Sequence, residues 1–172
     1  MLSMKLGLKG KAWLKGFHIL VSGIWVGAGI CLLLLGFLKG HTPNGDELYA
    51  FNLAMKIIDD YIIIPSAMAS LITGLLICWL TQWGFFKFNW IILKWVLTVA
   101  QILFGTFFLG PWTNGATAIA NTERALALQN STYLYFREMN SFYGSIQVAL
   151  LIVMVFISVF KPWGKRGKIK AH

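Results

Sequence analysis

Two ionisable side chains lie inside otherwise apolar runs: His18 and Lys94. Each falls about one helical turn in from the basic end of its run. Ionisable groups at membrane depth are costly and usually face a bundle interior or a cavity. Histidine handles protons near neutral pH and is the usual axial ligand of haem, which four-helix bundles can enclose. The pair therefore predicts a site in which His18 ligates haem iron and Lys94 supplies a counter-charge or second ligand. Trp25 follows His18 by seven residues, shares its helical face, and is placed to pack on a macrocycle. The plain alternative is that Lys94 snorkels to the head groups and His18 bonds a backbone carbonyl.

Other polar groups suggest less chemistry. Asp59, Asp60, Arg137, Glu138, Asn140 and Gln147 gather at the opposite ends of the runs, where an Arg137–Asp59 or Arg137–Asp60 pair is expected to tie helices together. Ser66, Ser70, Thr73, Thr98, Gln101 and Thr106 are read as interhelical hydrogen-bonding groups, each worth under about 2 kcal/mol. His41 and His172 have no ligand partner at metal spacing and are read as solvated. Cys31 and Cys78 differ in height by roughly 13 Å from helix rise, too far for a disulfide.

The elements that must position these residues are four apolar runs, about 17–38, 61–82, 90–110 and 143–160. Each has the roughly 20 residues that a bilayer-crossing helix requires. The chain has 172 residues, 58% hydrophobic and 12% charged, against about 25% charged in a soluble domain. This predicts one all-α domain over 1–172: an integral membrane four-helix bundle with an interfacial helix at about 46–60, capped by Asp46. Pro65 is expected to kink the second span, Gly110–Pro111–Trp112 to end the third, and Lys161–Pro162 to end the fourth. The alanine-rich stretch 116–128 is helix-prone, so spans three and four are expected to extend past the bilayer. Gly23, Gly27 and Gly29 offer a small-residue face for close helix approach.

Charge orients the bundle. Eleven basic residues lie on the side of the termini and the 81–89 loop, whereas all six acids lie in the other two loops. The positive-inside rule puts both termini in the cytoplasm, and a bacterial inner membrane is expected. The net charge of +9 is topogenic and contacts anionic lipid, with no nucleic acid implied. The first apolar run is too long for a cleavable signal and is read as an anchor.

The string Trp13–Leu14–Lys15–Gly16–Phe17–His18–Ile19 with Trp25–Val26–Gly27 resembles the first helix of HemJ-type protoporphyrinogen oxidases and of CopD-type membrane proteins. Pro65–Ser66–Ala67–Met68 with Gly74–Leu75, Trp90 with Lys94, Arg137 with Asn140, and Lys161–Pro162–Trp163 resemble further elements in the same order. The resemblance implies a haem b protein with His18 and Lys94 as the haem-site and essential residues. It further implies a membrane oxidoreductase acting on a porphyrinogen or quinol. Expected partners are the lipid bilayer, a hydrophobic small molecule and other copies of the chain. Two other classes stand beside it: a non-enzymatic membrane protein with an assembly, immunity or subunit role, and copper or ion passage.

Overall fold

The computed structural model describes residues 6–164. The basic tail from Lys165 and the terminal His172 lie outside the described residues, as does Lys5.

Four long helical rods make the molecule, and all four are long and apolar enough to cross a membrane. The first is α1 (Leu8–Lys39). The second joins α2 (Gly45–Ile58) to α3 (Ile64–Leu80) through a π-helical turn, Asp59–Ile63. The third joins α4 (Asn89–Phe104) to α5 (Gly110–Glu123) through a second π turn, Gly105–Leu109, and ends in a 3-10 turn, Arg124–Gln129. The fourth is α6 (Ser131–Phe160). No strand occurs among the described residues. The first and last of the described residues and the 81–88 turn share one end, here called inner: Leu6 bonds Leu80, and the Lys161 ammonium stands 5.0 Å from the Trp83 ring centre.

The rods span 30 to 41 residues, so at 1.5 Å per residue they outrun a hydrocarbon core of about 30 Å. Their surplus length builds an outer cap. There α2, α5, the 3-10 turn and the start of α6 close on Leu48, Ala116, Ala120, Ala127 and Tyr133. The helix expected in the first outer loop is thus continuous with the second span and packed into this cap. Its N-cap is Asn44, whose side chain accepts from the backbone of Asp46 and Glu47; Asp46 lies in the first turn instead. Asn130 caps α6 in the same way.

Neither Pro65 nor Pro111 ends a helix. Each follows a π turn, with Ile64 bonding back to Asp59 and Gly110 to Gly105. A proline has no N–H to donate and crowds the carbonyl one turn behind it. The wider π turn loosens that crowding, and the third rod runs through where Gly110–Pro111–Trp112 predicted its end. The fourth does stop at Phe160, before Lys161–Pro162.

Within the apolar segments the core is Trp25, Ala67, Leu151 and Met154. The glycine face of α1 is used only in part. A Cβ at Gly29 would stand 3.0 Å from Val148, so α1 and α6 approach closely there, whereas Gly23 and Gly27 are exposed with nothing within 4 Å. Burial of Val21, Trp25, Ala28 and Gly29 turns those two outward.

Candidate functional site

His18 sits half-buried between α1 and α3, its Nδ1 2.8 Å from Thr73 Oγ1. One turn further along α1, Ser22 bonds Ser70 at 2.7 Å, so two polar rungs join these helices. Lys94 turns the other way and donates to Ser158 of α6 at 2.6 Å. Trp25 is 6% exposed and packs in the core at mid-depth. The structure therefore distributes the three candidates: His18 against α3, Lys94 against α6, and Trp25 at the floor of a separate cleft.

That cleft has a volume of about 1460 Å³ and runs from the middle of the bundle to its outer end. Every rod contributes. Trp25, Gly29, Leu33 and Gly36 come from α1, and Ile63 and Ala67 from the second rod. Gln101, Ile102 and Thr106 come from the third, and Gln147, Val148 and Leu151 from α6. Both π turns border it, at Asp59–Asp60 and at Gly105–Thr106. Its outer rim carries Lys39, Arg137 and Glu138.

Gln101 is the anomaly on the floor. It is 4% exposed, and neither its Nε2 nor its Oε1 has a hydrogen-bond partner. Leaving a buried polar group unpaired costs about 1–3 kcal/mol, and an amide has two such ends. The expected interhelical bonds exist at Ser70 and Thr73, and Thr98 reaches Met154 Sδ at 3.7 Å. Ser66 instead bonds within its own helix. For Gln101 the expectation fails: the residue borders the cleft, but both ends of its amide are shut away from solvent without a partner. A lone amide amid some twenty apolar residues was the sequence signal available.

The rim differs from expectation as well. Among the described residues the ion pairs are Lys56–Asp60, at 2.6 Å, and Arg124–Asp46, at 3.7 Å. Arg137 pairs with neither Asp59 nor Asp60; the Asp60 carboxylate is taken by Lys56, one turn before it on the same rod. Asp59, just outside the apolar segment, has its carboxyl lifted to about 6 by burial and by the neighbouring Asp60 charge. Lys39, past the outer end of the first apolar segment, is lowered to about 8 by burial, with the Arg137 charge acting in the same direction.

The remaining candidates are quiet. His41 is bonded through Nδ1 to the Phe37 carbonyl at 2.8 Å and rests on the Phe37 ring. Cys31 and Cys78 are free thiols. No group of three or more metal-ligating side chains occurs among the described residues.

Neither a curated protein nor a solved structure matches this sequence. Residues 12–162 match the sequence model of a family described as "Predicted integral membrane protein (DUF2269)", and the chain belongs to that family.

Proposed function

We propose that this integral membrane protein binds a hydrophobic small molecule in the outer cleft. The carrying observation is Gln101, a buried amide with both ends unpaired on the floor of a cavity of ligand size. Turned toward the cleft, that amide would be satisfied by a molecule offering an oxygen that accepts and a hydroxyl that donates, as a quinol does. Trp25 and Leu151 would pack on the ring or chain. Orientation supports access from outside the cytoplasm, because the basic residues gather at the inner end. The test is organic extraction and mass spectrometry of protein purified in mild detergent. A near-stoichiometric molecule is expected in the native chain and a loss of about tenfold or more in Gln101→Leu and in the cleft-filling Ala67→Phe. Equal content in all three, or none, would contradict the reading.

A haem b site at His18 is the second reading, favoured by the held imidazole. With Nδ1 engaged by Thr73, the other ring nitrogen is left to meet an iron. The fit is partial, since Lys94 is engaged by Ser158 and Trp25 belongs to the cleft. His18 alone would hold the group. When bound, haem would supply one-electron chemistry to an oxidoreductase for a quinol or porphyrinogen, the activity carried by the HemJ-type resemblance. On this reading the purified protein shows a Soret band that shifts with dithionite and collapses in His18→Ala. A colourless protein that takes up no added haemin would remove it.

A further inference from the structure

We propose that the outer end of the cleft holds the acidic group of an amphipathic anion, a carboxylate or a phosphate, between Lys39 and Arg137. This rests on the cleft being a ligand site and names the class of ligand. Lys39 is 4% exposed, yet no carboxylate lies within 4.0 Å of its ammonium among the described residues. Its Nζ donates to Asn52 Oδ1 at 3.0 Å and stands 6.0 Å from the Tyr133 ring centre. Asn52 is itself fixed, donating to the Leu48 carbonyl at 2.8 Å and to the Tyr133 hydroxyl at 3.1 Å. The lysine is therefore held in place, with one of its three donors on a neutral amide. A buried charge without a counter-ion is expensive.

Arg137 follows Tyr133 by one turn on α6 and so lies on the same face, one turn nearer the bilayer. It also lacks an ion-pair partner among the described residues. The rim acids do not neutralise the two cations: Asp60 is held by Lys56, and neither Asp59 nor Glu138 is within 4.0 Å of Lys39 or Arg137. Inward from this cation pair α1 runs fourteen residues to Trp25, about 21 Å of largely apolar wall. A charged head at the rim and a hydrophobic body below it match that profile.

The experiment uses the full chain in neutral detergent at pH 7, with a dansyl-labelled long-chain fatty acid and its methyl ester as probes. The acid should bind saturably and the ester about tenfold or more weaker. Arg137→Gln should weaken the acid by a similar factor and leave the ester unchanged, and Arg137→Lys should restore most of the loss. Displacement by phosphatidylglycerol but not by phosphatidylcholine would assign the site to a lipid phosphate. Displacement by unlabelled fatty acid alone would assign it to a free carboxylate. If acid and ester bind alike and Arg137→Gln alters neither, the anion site is overturned while the cleft stands. If neither probe binds the native chain saturably, or both bind Ala67→Phe as well as they bind the native chain, the cleft reading falls with it.

Discussion

Asp59 shows how a single residue at the rim reads out its surroundings. Burial and the Asp60 charge raise its carboxyl from the ordinary 3.8 to about 6. The folded chain then holds this proton more tightly than the unfolded chain does, so stability falls as pH rises from about 4 to about 6. At neutral pH the ionised carboxyl costs at most about 3 kcal/mol, less whatever solvent at the partly exposed rim screens. Asp59→Asn should therefore raise the thermal midpoint in detergent at pH 7.5, and the gain should vanish below pH 4. A gain independent of pH would disprove the assignment. His18, Lys94 and Trp25 were legible as polar or aromatic intruders in apolar runs. Their separation was not, because helical periodicity shows which residues share a face but not which helix that face meets. Gln101 was legible as an amide and not as an unpaired one, since pairing depends on where the rods diverge.

The elements carry their own test at the close approach of α2 to the 3-10 turn. A Cβ on Gly45 would collide with the backbone nitrogen of Ala125 and with Arg124, so only glycine starts α2 there. Gly45→Ala should lower stability by about 1–3 kcal/mol, the usual cost of overpacking, read as a drop in thermal midpoint. An unchanged midpoint would mean that the cap tolerates separation of these segments. The π turns were not legible. Pro65 and Pro111 announced a disturbance, and the sequence suggests a kink at one and an end at the other. Rods continue through both because five residues of wider helix absorb the missing donor, a solution fixed by packing on either side. The capped start of α2 was closer to legible, with Asn44 two residues before the expected Asp46, whereas the Asn130 cap of α6 was not anticipated.

Across the whole molecule two packing regimes meet at the cleft. Outside the apolar segments the cap closes tightly on small and aromatic residues, as a soluble core does. Within them the rods expose large apolar side chains such as Phe17, Leu34, Phe107 and Val159, as lipid contact allows. The four spans, the all-α class and the outward extension of the rods were legible because bilayer thickness dictates length and composition. The cleft was not, since it exists where those rods separate beneath the cap. If the cleft joins Gln101 to the outer aqueous side, that position is within reach of a reagent added outside the cell. The direct measurement is labelling of Gln101→Cys, in a Cys31→Ser, Cys78→Ser background, by a charged membrane-impermeant thiol reagent added to intact cells. Position 101 should be labelled from outside, while Leu97→Cys, one turn deeper in the packed core, should not. A cysteine at 101 that resists the external reagent, while one at the exposed rim residue Glu138 reacts, would contradict it.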